Sequence, residues 1–536
     1  MAQGSGAAVS TNGVLRTLSG TLHALSVPPG IDGGSSGSGG VAQFYLRASD
    51  GASYALVMPP GADVAHLTSS IGRPVRTTFR EKQQQQHQQH EEGQQGGGEG
   101  AVNATAGGQT GGRQRTLVLE ELPLRLPRGG TSRRLLAQMP AAPTPTGAVS
   151  IIVFIMDLSE CGIPPATTPQ AVTAFLSSTQ PQNLAGMYDA CTAGAARLDA
   201  AASVVMTVSF PCGAANGATS AGVQFDTRTC SNNVVAWQDY AADAAGRAGY
   251  SLTRFHHRAL ILPKDHSNVI TACNFAALGS QGRWGYNTDA PGNGWGYGAV
   301  WIGGSLWNSA PIYWHELGHN YGLLHARNEV PSAGTVGNTN DPTCAMGSYG
   351  GTDARCHNAP HLWAMAWASP AVTLSVTDVR SGLLPRLLTI AAQSTSSPGP
   401  IGAQVQVSSS LTFAISFRRD APTYDAPFSD LPGVQQGVAV HRVPSGQTTT
   451  DTALVALLVQ TGDAWVDSSS LLSVTLVGIA LSVDATIALC TRASLNTPCY
   501  TGGVGSLPDT LGGSPPPSPH PPSPAPPLPA RHPPYE

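Results

Sequence analysis

The sequence predicts an α+β chain: a central domain with a mixed sheet and one dominant helix, flanked by a small N-terminal β domain and a C-terminal β-sandwich. Three observations carry this. Short apolar runs separated by turn residues fill 13–80, strand and helix patterns alternate from Ala148, and beyond Pro370 the helical period gives way to seven or so strand-like runs. A length of 536 residues also exceeds what one ordinary core organises.

Residues 1–130 form the first unit. VLRTLSGTLHAL, AQFYLRAS, SYALVMPP and PVRTTFR read as strands, and TLVLEELPLRL (116–126) finishes the unit. A Gln-, His- and Gly-rich tract at 81–115 interrupts it, and because such a composition builds no core it reads as a disordered surface insertion. Residues 131–147 are a Pro- and Gly-rich linker carrying the pair Arg133-Arg134. The domain at 148–370 opens on the strand VSIIVFIMDL. Helical AVTAFLSS and NLAGMYDACTAGAARLD follow, then the strand SVVMTVSF, the helix NNVVAWQDYAADAAGRAG and the strand RALILPKD. Residues 371–504 hold the sandwich strands, from AVTLSVTDV to LLSVTLVGIALSV, and the proline-dense tail at 505–536 is extended or disordered.

Composition excludes several classes. Charged residues are 11% of the chain and the net charge is −4, which argues against a basic nucleic-acid surface. The longest apolar run, Val149 to Leu158, is about half a membrane-spanning helix, so no transmembrane segment is expected. Nine cysteines contain no CxxC pair, and seven of them lie between 161 and 356, which fits a disulfide-stapled domain in an oxidising compartment with one thiol left over. The start MAQGSGAAVSTNG has neither the charged nor the apolar region of a secretory leader. The cysteines outweigh it, so an extracellular location is expected, with the leader missing from a truncated or misassigned first exon.

The chemistry concentrates at HELGHNYGLLH (315–325), an H-E-x-x-H-x-x-G-x-x-H pattern. On a helix His315 and His319 lie about 40° apart in azimuth and roughly 6 Å apart along the axis, so both rings reach one metal ion. Glu316 is beside them, placed to take a proton from a water. A continued helix would carry His325 about 240° away and roughly 9 Å further up, so the chain must turn back. Gly322 stands where that turn is needed, and glycine alone enters the left-handed region at little cost. Asn308 or Ser309 is the expected cap, with Pro311 in the first turn. Upstream, YGAVWIGGS is a glycine-bounded strand whose Ala299, Val300 and Trp301 are expected to pair with an extended peptide, as edge strands do.

HELGHNYGLLHA (315–326), DPTCAMGSYGG (341–351) and ARCHNAPHLWAMAW (354–367) resemble the gametolysin family of metzincin zinc peptidases, the cell-wall lytic enzymes of volvocine green algae. ISFRR, Tyr424-Asp425 and VAVH (438–441) share the family's style, and the resemblance covers about 148–500. It implies a metzincin-like catalytic domain in which His315, His319 and His325 bind Zn²⁺, Glu316 is general base and Met346 is the turn methionine under the metal. Met365 is a second candidate for that turn. The tyrosine that some metzincins place two residues past the methionine is absent: Ser348 stands there and Tyr349 follows. His357 and His361 read as structural, and Cys344–Cys356 and Cys490–Cys499 as disulfides.

The implied activity is hydrolysis of peptide bonds in Pro- or hydroxyproline-rich matrix glycoproteins by a secreted zinc endopeptidase, with a protein substrate and no nucleic-acid partner. The N-terminal β domain would be a propeptide released near Arg133-Arg134. Cys161 or another unpaired thiol is a candidate for holding zinc in the latent form, with a structural disulfide the favoured reading. The SPPPSP tail resembles algal wall glycoproteins and supports wall association; it also sustains the alternative of a catalytically silent wall-associated structural or binding glycoprotein.

Overall fold

The computed structural model describes six strands between 15 and 125, and then 144–499 apart from 178–181, 214–216, 231–232, 285–291, 338, 348–353, 380–384, 394–399, 422, 445–450 and 498. Most of the Gln/Gly tract, Arg133-Arg134, Ser348, Tyr349 and the proline tail lie outside the described residues.

The N-terminal strands are β1 (Leu15–Ser26), β2 (Gln43–Ala48), β3 (Ser53–Val57), β4 (Pro74–Glu81), β5 (Thr116–Leu119) and β6 (Leu124–Arg125). The first five pair in a closed ring: β1 with β2 and β4, β2 with β3, and β5 parallel to β3 and antiparallel to β4. Such closure leaves few free edges. One edge that remains is the last stretch of β1, and it is used further along the chain.

The central part runs β7 (Gly147–Val149), β8 (Ile151–Asp157), α1 (Pro169–Leu176), α2 (Leu184–Thr192), β9 (Ala196–Leu198), β10 (Val204–Ser209), β11 (Gly217–Ala218), β12 (Gln224–Phe225), α3 (Asn233–Arg247), β13 (His257–Ile261), α4 (His266–Val269), β14 (Ala277–Ser280), β15 (Gly298–Ile302), α5 (Ala310–Asn320), β16 (Ala326–Asn328) and α6 (Ala359–Ala364). Side-chain caps start several of the helices. Thr168 accepts from the Ala171 amide ahead of Pro169, and Asn183 accepts from the Gly186 amide at 2.7 Å.

Strands β10, β8, β13 and β15 are parallel neighbours in that order, and β14 adds antiparallel to β15. Side chains alternate between the two faces. Ile151, Val153, Ile155, Val300 and Ile302 pack with α1, α2 and α5, whereas Ile152, Phe154, Leu260 and Trp301 pack with α3. Both faces are covered, which explains why IIVFIM reads as a continuous apolar run. Beyond β14 the sheet continues into β1, through Leu25↔Ser280 and Ser26↔Gly279. Leu25 and Tyr45 join the core on the α3 face.

The C-terminal part contains β17 (Val372–Ser375), β18 (Arg386–Ala391), β19 (Ala403–Gln406), β20 (Leu411–Arg419), β21 (Gln436–Pro444), β22 (Thr452–Leu458), β23 (Ala464–Val466), β24 (Leu472–Ala480) and β25 (Asp484–Thr491). They form a six-stranded sheet, β16-β22-β21-β20-β19-β17, and a four-stranded sheet, β18-β25-β24-β23. Phe413, Phe417 and Val440 from the first share one core with Val474, Ile487 and Leu489 from the second. The first sheet includes β16, a strand from the central region, so the two parts are interlocked.

Candidate metal centre

Helix α5 is buried along nearly its whole length. Its Trp314 and Leu317 belong to the core under the sheet, and Asn320 ties its far end to two strands. The Asn320 amide donates to the carbonyls of Ser280 (3.2 Å) and Ala299 (3.0 Å), at the ends of β14 and β15. Ser309 occupies the N-cap position, but its hydroxyl makes no capping bond, and Pro311 falls in the first turn. At the other end Gly322 has φ of +89°, the Leu323 amide donates to the Gly318 carbonyl and the Gly322 amide to that of His319. This is a Schellman stop, and it reverses the chain directly after the second histidine.

That reversal brings the third ring back. Ring centroids are 4.9 Å apart for His315 and His319, 5.3 Å for His315 and His325, and 4.7 Å for His319 and His325. One ring nitrogen from each lies within 4.8 Å of the others. His315 Nδ1 donates to the Ala345 carbonyl at 2.7 Å, and His319 Nδ1 donates to the Leu323 carbonyl at 2.9 Å. Each Nδ1–H is therefore committed, so in the neutral rings Nε2 carries a lone pair. His319 Nε2 and His325 Nε2 face each other at 3.2 Å. Lone pairs converging in this way suit a shared cation, and the backbone bonds behind them orient the rings.

Burial sets the charge of the site. It pushes His315 down to about 4 and His325 down to about 3, and it holds His319 well below the ordinary imidazole value. All three rings are then neutral near pH 7, the form that ligates metal. Burial also raises the Glu316 carboxyl well above its usual range, and its Oε2 has no hydrogen-bond partner among the described residues. Strand β14 runs alongside: a Cβ on Gly279 would lie 2.8 Å from Glu316 Oε2.

The methionine-bearing turn closes the site from below. Met346 is fully buried, and its carbonyl accepts from the Ala326 amide at 2.8 Å, next to His325. Its neighbour Ala345 holds the His315 ring, so one short turn bonds both that ring and the backbone that follows His325. Met365 instead sits at the end of α6, as part of the core.

Two expectations differ from the structure. Ala299, Val300 and Trp301 form β15, which is paired on both sides, by β13 and β14. The strand beyond it is β14, whose short ALGS run carries no alternation to mark it. Cys356 bonds to Cys191, not to Cys344, because α2 brings Cys191 against it; Cys344 is the free thiol. Cys161 is paired with Cys212, the structural disulfide that the sequence favoured over a metal-holding thiol. Cys490–Cys499 is present as expected.

A network behind the site was missed. His257 Nδ1 pairs with Asn320 Oδ1 at 3.0 Å, its Nε2 with Tyr321 OH at 2.9 Å, and Tyr321 OH meets Tyr188 OH at 2.6 Å. The one local signal for it was the Asn-Tyr that follows HELGH.

Three imidazoles and a buried carboxyl on a helix-and-turn define the kind of centre that metal-dependent hydrolases use. Residues 150–401 match the model of the gametolysin peptidase M11 family, so this part of the chain is similar to that peptidase family. No curated protein and no solved structure matches the chain.

Proposed function

We propose that the protein is a secreted zinc metalloendopeptidase of metzincin type that cleaves Pro- or hydroxyproline-rich matrix or wall glycoproteins. The convergence of the His315, His319 and His325 nitrogens carries the metal assignment. Zinc bound there would polarise the scissile carbonyl and lower the pKa of a water to about 7. Glu316, beside the metal position, takes the proton from the attacking water on its carboxylate and passes it to the leaving amine. Met346 and the Ala345 carbonyl keep the ligand rings in place while this happens.

The substrate backbone runs along β14 as an added strand, next to Glu316. In the present chain that edge is taken by Leu25 and Ser26 of β1. This supports the reading of the N-terminal unit as a propeptide, with the outer edge of β14 freed once the linker is cut. Neutral composition and several disulfides are consistent with an extracellular setting. Among the described residues no helix is long and apolar enough to cross a membrane.

Zinc content and cleavage of a Pro-rich wall glycoprotein test this reading together. The expected result is stoichiometric zinc, cleavage abolished by a chelator and restored by adding zinc. Chelator-insensitive cleavage, or none at all from a zinc-loaded mature chain, speaks against it.

A further inference from the structure

Behind the methionine turn lies a second cluster of metal-ligating groups. Four disulfides use eight of the nine cysteines and leave Cys344, which is fully buried. Its Sγ and ring nitrogens of His357 and His361 lie within 4.8 Å of one another, and the Sγ is 3.2 Å from His361 Nδ1. All three residues are shielded from solvent.

His357 is the telling member. A neutral imidazole carries one N–H and one lone pair, yet neither His357 ring nitrogen has a hydrogen-bond partner among the described residues. Leaving such groups unsatisfied in the interior is unfavourable. Stacking on Trp314, with centroids 4.9 Å apart, holds the ring but satisfies neither nitrogen. A ligated cation would take one of them.

The surroundings are built like a metal-site shell. Cys344 Sγ accepts the Met346 amide at 3.4 Å and the Asn358 amide at 3.3 Å, as a thiolate ligand would. Asn358 caps α6 by accepting from the His361 amide, and its own amide group donates to Asp341 and Thr452. Thus His361 stands on a pinned helix start and Cys344 on a pinned turn. A thioether is close by too: a Cβ on Gly318 would collide with Met346 Sδ and lie 2.9 Å from His357 Cε1.

We propose that Cys344, His357 and His361 hold a second, structural metal ion, a thiophilic closed-shell cation (Zn²⁺ or Cu⁺), in a closed site behind the methionine turn. One thiolate and two imidazoles suit such ions, and harder oxygen-seeking cations find no match here. Binding exchanges the thiol proton, released to solvent, for a metal–sulfur bond, with no redox change. The ion would clamp the 344–347 turn to α6 and so steady the Ala345 carbonyl that orients His315. This assignment stands independently of the peptidase reading.

Elemental analysis of the full chain, made in a disulfide-forming host and dialysed against trace zinc and copper, tests it. Two metal equivalents are expected per chain and one in Cys344→Ser, with the elemental identity deciding between zinc and copper. In His319→Ala the second equivalent should persist. Because Cys344→Ser could misfold, cobalt reconstitution of His319→Ala is the companion measurement. A thiolate-to-cobalt charge-transfer band in the near ultraviolet is expected. A metal content unchanged by Cys344→Ser, or a folded cobalt-loaded His319→Ala without that band, overturns the proposal.

Discussion

At the scale of single residues, burial decides protonation. Outside the metal cluster, His256 is pushed down to about 4 and His257 to about 3, both chiefly by desolvation. In the unfolded chain the same rings protonate near 6.5. As pH falls below about 6.5 the unfolded state takes up protons that the folded state refuses until pH 3–4. Stability should therefore be flat from pH 8 to 6.5 and then drop, by up to about 1.4 kcal/mol per pH unit for each ring. Urea unfolding at several pH values checks this, and His257→Gln should flatten the slope. A slope unchanged by that substitution would assign the acid loss elsewhere.

The convergence of the three histidines was legible at this same scale, because its geometry is local. Helical spacing set His315 and His319 side by side, and the need for a reversal marked Gly322, which has the positive φ that a Schellman stop requires. Cysteine pairing was not legible. Cys191 and Cys356 are 165 residues apart in sequence, and only the packing of α2 against the 356 segment joins them. His357 and His361 read as structural because three better-placed histidines were already at hand, and only the fold brings them within 4.8 Å of Cys344.

At the scale of elements, β14 and β1 are the pair that matters. The long runs of β8, β13 and α3 were readable from period and length. The four-residue β14 was not, since neither alternation nor length separates ALGS from a loop. Its position follows from the sheet: β15 needs a partner on its far side, and Asn320 secures the end of β14 to α5. With β1 covering the outer edge of β14 at Leu25 and Ser26, removing the N-terminal unit should raise kcat/KM on a peptide substrate at least about tenfold, since each 1.4 kcal/mol of competing contact is a factor of ten. Cleavage in the linker by an added protease, followed by assay and N-terminal sequencing, measures this. Equal activity before and after removal contradicts the autoinhibitory role.

At the scale of the whole molecule, the C-terminal sheets are joined to the histidine cluster. Strand β16 begins directly after His325 and pairs with β22, so the chain beside His325 is anchored in the six-stranded sheet. His441 from β21 meets Asp341 at 2.9 Å, and Asp425 accepts from the Cys356 amide at 2.9 Å and from Arg418 at 2.7 Å. The sequence offered Tyr424-Asp425 and VAVH only as family-like fragments; their contacts are what lock the sheets beside the 341–356 segment. Arg418 is fully buried, so Asp425→Ala would leave its charge unpaired in the interior. A loss of about 3–5 kcal/mol is expected on denaturant unfolding, together with weaker zinc retention. A loss below about 1 kcal/mol would mean that water reaches Arg418 and the interface is loose.

The account turns on one carboxyl. Glu316→Ala leaves the three imidazoles and their backbone bonds untouched while removing the group that moves the proton. Zinc content and peptide-bond hydrolysis measured on the same preparation are the most direct test. The prediction is zinc at the native level with hydrolysis lowered by about 10²–10⁴ or more; undiminished hydrolysis in the zinc-loaded variant would contradict it.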